Sequence, residues 1–256
     1  GKTPPLMLQK RELKSFLEAI VEFEAAERKR AARKEEAALE AELANAKALE
    51  AAATGKDVAV ICSGDAGIYA MGALVYELLD RDETDGGVSD AARRVQVVSA
   101  PGISALQAAA ARSGAILGHD FCAISLSDLL TPWEAIEKRI HAAGVGDFVV
   151  AFYNPVSKRR RTQLAAAREI LMQYRGGDVP VILASSLGRP DEKIQYRTLG
   201  GLDIDEVDML TTVMVGASSS KRLDLGRGSA VYTPRGYAKH LDAPQGRKQD
   251  ETEADT

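Results

Sequence analysis

Four short runs in this chain carry residue types suited to holding a small molecule: Ser63-Gly64-Asp65-Ala66-Gly67-Ile68-Tyr69, Pro101-Gly102-Ile103-Ser104-Ala105, Phe152-Tyr153-Asn154-Pro155 and Val215-Gly216-Ala217-Ser218. Each follows a stretch that reads as a β-strand. Loops at the carboxyl ends of parallel strands are where open α/β folds bind ligands. Gly64 and Gly67 let the first loop pass close to a ligand, and Asp65 adds one carboxylate. This is positioning chemistry, carried largely by the backbone. A turn that serves only to reverse the chain is the competing reading of the first run. Asp128 lies just beyond another expected strand, as a ligand-facing carboxylate or a helix-entry turn residue. His119, beside Asp120, is either a general base near neutral pH or the cap of a turn. Ser157-Lys158-Arg159-Arg160-Arg161 is a basic cluster. If Ser157 caps a helix, its cations crowd the helix end that favours anions, and the third position offers no Glu or Gln for a capping box.

Composition narrows the classes. The chain has 256 residues and 45% apolar content, enough for one large or two modest domains with a real core. Its formal net charge of -4, with no aromatics interleaved in the basic cluster, argues against a nucleic-acid partner. The two cysteines, Cys62 and Cys122, each sit in an apolar run, form no zinc-ligand spacing and suit a reducing compartment. No apolar stretch is long enough to span a bilayer, and no signal peptide is recognised. The expectation is a cytoplasmic protein with no membrane partner and no metal.

The elements that would position these residues alternate. An amphipathic helix is expected over 6–23, from Leu13, Phe16, Leu17, Ile20 and Val21. Residues 24–50 have helix composition, and Gly55 ends that helix. Strands are expected at 57–62, 95–99 and 121–126, with a helix at 67–80 and another opened by the Pro101–Ser104 turn and running to about Arg112 between them, the pattern of parallel βαβ units. A helix opens at Thr131-Pro132. Beyond it come strands at 147–153, 179–184, 193–198 and 210–216, with a helix over 158–174 and an antiparallel pair across the turn near 188–191. The expected organisation is a helical segment 1–54, an α/β domain 55–130, a linker helix 131–146, a second α/β domain 147–238 and a disordered tail 239–256.

The run from Gly55 to about Tyr237 resembles the tetrapyrrole (corrin-pathway) methyltransferases. The motifs are SGDAGIY at 63–69, PGISA at 101–105, LGHDFCAISLSDLLTPWE at 117–134, GDFVVAFYNPVSKRRR at 146–161, VDMLTTVMVGAS at 207–218 and VYTPRGY at 231–237. Those at 117–134 and 146–161 set the chain apart from uroporphyrinogen and diphthine methyltransferases and align it with the ring-contracting branch. The resemblance implies a two-domain α/β fold, with a parallel-sheet N-terminal domain and a mixed-sheet C-terminal domain, and S-adenosylmethionine folded between them. It implies cofactor contacts from Gly64, Asp65 and Ile68 to the methionine part, from Ser104 and Ala105, from Tyr153 and Asn154 to the adenosine, and from Gly216 and Ala217. It implies methylation of precorrin-3B at C17 with ring contraction to precorrin-4, release of S-adenosylhomocysteine, and a homodimer. Methyl transfer from a sulfonium needs positioning more than acid–base chemistry. A polycarboxylated tetrapyrrole also supplies anions for Lys158, Arg159, Arg160 and Arg161, and pyrrole N–H groups for Asp128. No residue is assigned as catalytic acid or base.

The chain departs from the family at its start. The family opens on a strand and a Gly-x-Gly-Pro-Gly-Asp loop, whereas residues 1–37 are Ala/Glu/Lys-rich. A cofactor-binding homologue with an incomplete substrate groove is therefore the alternative expectation.

Overall fold

The computed structural model describes residues 39–157, 160–226 and 228–237. The chain divides into two compact units, Gly1–Gly102 and Ile103–Thr256. The helix expected over 6–23, the part of the 24–50 helix before 39 and the tail from 239 lie outside the described residues.

In the first unit, helix α1 covers 39–53 and stops where Gly55 turns left-handed, with its N–H bonded to the Ala52 carbonyl at 2.9 Å. Helix α2 is Met71–Asp80. Leu74, Val75, Leu78 and Leu79 fall on one of its faces, as helical spacing requires. They pack with Leu49 of α1, Val88 and Ala92 into a small core. Arg81 donates to Glu42 at 2.5 Å, and Glu50 accepts from the Ser89 N–H and hydroxyl, both at 2.7 Å, so α1 is tied to the end of α2 and to the loop at Ser89.

The strands expected at 57–62 and 95–99 do not form. Both segments lie outside every strand ladder among the described residues. Their composition suits strands, but a strand exists only where a neighbour takes its backbone hydrogen bonds. Ile61 is 91% exposed and Val98 78%. The two segments line a cavity of about 450 Å³ together with Ala48, Leu49, Ala52 and Val75. The fold class stands as α/β, and among the described residues the sheets lie in the second unit.

That unit holds a five-stranded sheet of β2 (Phe121–Ser125), β3 (Val149–Tyr153), β4 (Pro180–Ser185), β5 (Lys193–Thr198) and β6 (Thr211–Val215), in the order β2-β3-β6-β4-β5. β2 runs parallel to β3, and β6 runs antiparallel to both β3 and β4. The boundary read from sequence near 131 thus falls inside this unit, because β2 pairs with β3 along its whole length. The central strands are apolar on both faces because both faces are covered. Helices α4 (Trp133–Val145) and α5 (Thr162–Met172) pack Ile136, Ile140, Leu164 and Leu171 with Phe152, Leu183 and Val213. Helix α3 (Ala105–Ser113) packs Leu106 and Ala109 with Ala151, Ile182 and Met214 on the other face.

A second sheet, β1-β8-β7, joins Gly114–Ala115 to the hairpin Lys221–Leu225 and Gly228–Tyr232. Sequence reading overlooked that hairpin, although glycines 226 and 228 flank its turn. Helix α5 also starts later than expected. Ser157 is no cap; its N–H and carbonyl exchange hydrogen bonds with Arg160, at 2.9 and 3.2 Å, closing a turn ahead of the helix.

Burial separates two substitutions. Leu183→Ala, at a fully buried position, should cost about 2–5 kcal/mol in urea unfolding. Ile61→Thr, at an exposed one, should stay within about 0.5 kcal/mol of the parent. A large loss from Ile61→Thr would contradict its exposure.

Candidate functional site

Strand direction sorts the candidate loops. β2, β3 and β4 all end at one edge of the five-stranded sheet, where β6 begins, since Ser185 lies opposite Thr211. That edge carries Ser127 and Asp128 after β2, Tyr153 and Asn154 at the end of β3, and Ser185 to Leu187 at the end of β4.

Tyr153 reaches from this edge to the start of α3. Its hydroxyl bonds the Ser104 hydroxyl and accepts from the Leu106 N–H at 3.0 Å. Ser104 is buried and its N–H is held by Gln107 Oε1 at 2.8 Å. Gln107 and Ser104 form a capping box, which fixes the first turn of the helix. Ser104, Ala105 and Tyr153 are therefore one assembly: a helix N-terminus, the end that favours negative charge, with a phenol set into it.

Asn154 adopts the left-handed conformation at φ 49°. A non-glycine residue held there is strained, and such residues gather at functional sites. Its amide donates to Ser125 Oγ at 3.1 Å, and its carbonyl accepts from Arg160 Nη2 at 2.9 Å. Arg160 Nη1 reaches Ser127 Oγ at 3.1 Å and Asp128 Oδ1 at 3.3 Å, and Gln163 donates to Asp128 Oδ2 at 2.9 Å. Burial disfavours the charged form of Asp128, but the hydrogen bonds from Arg160 and Gln163, a backbone N–H and the guanidinium charge together outweigh it. The carboxyl is held below the usual range.

Arg161 donates to the Ile204 carbonyl at 2.8 Å and to Asp205 at 3.1 Å. Arg160 and Arg161 are thus engaged within the protein; Lys158 and Arg159 lie outside the described residues. Sequence reasoning missed Ser186, also left-handed at φ 53° on this edge. Its N–H bonds the Leu210 carbonyl at 3.1 Å and its hydroxyl bonds Asp191 at 2.8 Å. The small-residue pair Ser185-Ser186 directly after an apolar run was the signal available.

Gly216 and Ala217 sit at the other edge. Val215 lies opposite Val150, and Gly216 donates to the Pro180 carbonyl at 2.9 Å. The length of β3, about 13 Å at roughly 3.3 Å per residue, separates them from Tyr153 and Asn154. Their loop is bound to the base of the sheet. Arg175, fully buried, donates to the Gly216 carbonyl at 2.5 Å and to those of Phe148 and Ala143 at 3.0 and 3.2 Å. Asp147 accepts from the Ser218 N–H at 2.9 Å and from its hydroxyl at 2.5 Å. The expectation that these residues join Tyr153 and Asn154 at one site fails because β6 runs antiparallel to β3. Cys122 lies close enough to Arg175 to feel its charge, but burial dominates and pushes the thiol up to about 11. His119 precedes β2 at the same far edge, its Nδ1 accepting from the Asp120 N–H at 2.8 Å. It caps a turn.

In the first unit, Asp65 braces its loop. Oδ1 accepts from the Gly67 N–H at 2.8 Å and Oδ2 from the Gly102 N–H at 3.0 Å. A side chain at Gly102 would place its Cβ 2.0 Å from the Gly64 carbonyl oxygen, so only glycine permits this approach. Ile68 follows, its N–H bonded to the Asp65 carbonyl at 3.2 Å. The bonds from Gly102 and then Gly67 hold the Asp65 carboxyl below its usual range.

Comparison with known proteins agrees with the motifs. The chain matches the tetrapyrrole (corrin/porphyrin) methylases over residues 6–203. It is 44% identical over 192 residues to the precorrin-3B C(17)-methyltransferase of a Sinorhizobium species, covering 75% of this chain and 73% of that protein. It is 46% identical over 190 residues to the probable cobalt-factor III C(17)-methyltransferase of Salmonella typhimurium, covering 74% and 73%. The cobalt-factor III methyltransferase of Priestia megaterium is 48% identical, but the match spans only 34% of it. The crystal structure of the methyltransferase CobJ superposes with a TM-score of 0.63 at 40% identity, over 73% of each chain.

Because the fold lowers the Asp65 pKa, its contribution to stability is complete above the unfolded value, near pH 4, and is lost as pH falls through the lower folded value. Asp65→Asn should be less stable than the parent at pH 7 and lose less on acidification from pH 5 to 3. Parallel stability–pH curves in urea unfolding would contradict the brace.

Proposed function

The chain belongs to the tetrapyrrole (corrin/porphyrin) methylases, and from that membership we propose that it transfers a methyl group from S-adenosylmethionine to C17 of precorrin-3B, with ring contraction to precorrin-4. The observation that carries the reading is the meeting of three family motifs at one sheet edge: the Tyr153–Ser104 assembly, left-handed Asn154, and Asp128 held by Arg160. The relatives named for precorrin-3B and cobalt-factor III support the substrate class.

The residues at this edge fit such a cofactor. The donor supplies a methyl group on a sulfonium, a displacement whose leaving group is neutral. Ser104 and Ala105 present the start of a helix, suited to a carboxylate. Tyr153 and Asn154 offer an aromatic ring and an amide fixed by their own hydrogen bonds. Rigid placement of this kind is the main contribution a protein makes to an in-line transfer. For the first unit, the proposal is that the Asp65-braced turn, with Gly64 and Ile68, contacts the methionine part. Gly216 and Ala217 are outside the proposed site. No helix among the described residues is long and apolar enough to cross a membrane. A cytoplasmic homodimer completes the proposal, and light scattering of the purified chain checks the dimer.

Calorimetry with S-adenosylhomocysteine is the first test. Saturable binding by the parent is expected. Tyr153→Phe, which strips the hydroxyl from Ser104 and Leu106, should weaken it about tenfold. No heat at millimolar ligand would contradict the cofactor assignment. An anaerobic incubation with precorrin-3B and S-adenosylmethionine should then shift the tetrapyrrole absorption spectrum. Binding without that shift would favour a homologue that keeps the cofactor and not the reaction.

A further inference from the structure

We propose that Arg160 is a positioning residue for the methyl-transfer reaction: it holds the Asp128 carboxylate and the Asn154 turn in register, and Asp128, not Arg160, meets the substrate at an N–H group.

This rests on the assignment of the sheet edge as the methyl-transfer site. A cation in a basic cluster suggests contact with substrate carboxylates, but the geometry points elsewhere. The Arg160 side chain is 9% exposed. Its two terminal nitrogens serve three acceptors, namely Ser127 Oγ, Asp128 Oδ1 and the Asn154 carbonyl. Its Nε is buried with no acceptor among the described residues. Arg160 lies just ahead of α5, its backbone N–H and carbonyl bonded to Ser157. One planar guanidinium therefore joins the end of β2 to the end of the neighbouring parallel strand β3.

The consequence falls on Asp128. Both of its oxygens are held, one by Arg160 and one by Gln163, yet the side chain remains 33% exposed. A carboxylate kept ionised only accepts hydrogen bonds. It repels the carboxylate rim of a tetrapyrrole and suits the pyrrole N–H groups inside it. Asn154 is affected as well. Its left-handed conformation carries strain, and the Arg160 bond to its carbonyl helps to hold it, beside the bond from its amide to Ser125. Lysine cannot replace this arrangement, because a point charge does not offer a planar fork to three acceptors.

A double-mutant cycle on the full chain tests the role, with precorrin-3B as substrate under anaerobic conditions. Asp128→Asn and Arg160→Met should each lower kcat/KM by about thirtyfold or more. The double variant should be no more than about threefold worse than the poorer single one, because both changes remove the same oriented carboxylate. Arg160→Lys should not restore activity. Asp128→Asn should keep its affinity for S-adenosylhomocysteine within about twofold, which a collapse of the site would not allow. Losses that multiply would overturn the role, as would an Arg160→Met loss confined to KM and sensitive to salt, the mark of direct contact with substrate carboxylates. If Arg160→Met does not fold, the cycle is run with Arg160→Lys under the same criteria. If the parent binds cofactor but leaves precorrin-3B unchanged, the methyl-transfer reading fails and this role with it, whereas turnover by the parent with losses that multiply overturns the role alone.

Discussion

β3 is bonded to β2 in a parallel ladder and to β6 in an antiparallel one, and these two ladders govern which loops can act together. The parallel ladder brings Asp128 and Asn154 to one edge. The antiparallel ladder carries Gly216 and Ala217 to the opposite edge. Everything proposed for the second unit follows from that sorting. Tyr153 is at the right end of its strand to enter the start of α3, and Arg160 is close enough to both strand ends to join them. Reversing either ladder would separate residues that now share hydrogen bonds.

Much of this was legible in the sequence, and the failures have physical causes. The central strands β3, β4 and β6 are largely apolar runs of five or six residues, and burial on both faces makes such runs plain to read. Pairing direction is not written locally, so Val215-Gly216-Ala217-Ser218 looked equivalent to Phe152-Tyr153-Asn154-Pro155. Ser157 had the residue type of a helix cap, yet its partners are the backbone groups of Arg160. The runs 57–62 and 95–99 had strand composition and no partner, and propensity alone does not build a ladder. The family motifs picked out Ser104, Tyr153, Asn154 and Asp128, and the fold brings these residues to one edge of the sheet. What they could not give was the hydrogen bonding that makes Arg160 a buried bracket.

The arginines of the second unit show how burial decides a cation's work. Arg175 is enclosed and bonds three carbonyls at the base of the sheet, where it fixes the Gly216 loop. Arg160 also serves three acceptors, at the opposite edge: the Ser127 hydroxyl, the Asn154 carbonyl and the Asp128 carboxylate, which remains partly exposed. Arg161 lies at the surface and pairs with Asp205, an interaction of the kind that contributes little to stability. A buried guanidinium is held by its acceptors, and removing one leaves a charge without compensation. Residues in such networks act together, so their roles are read from coupled substitutions.

The central claim is that the cofactor occupies the edge bearing Ser104, Tyr153 and Asn154 and not the edge bearing Gly216. Hydrogen–deuterium exchange with and without S-adenosylhomocysteine tests it directly. The account expects slowed exchange at the start of α3 and at the end of β3 through Asn154, with no change at 216–218. Protection confined to 216–218, or none at the α3 and β3 positions at saturating ligand, would contradict it.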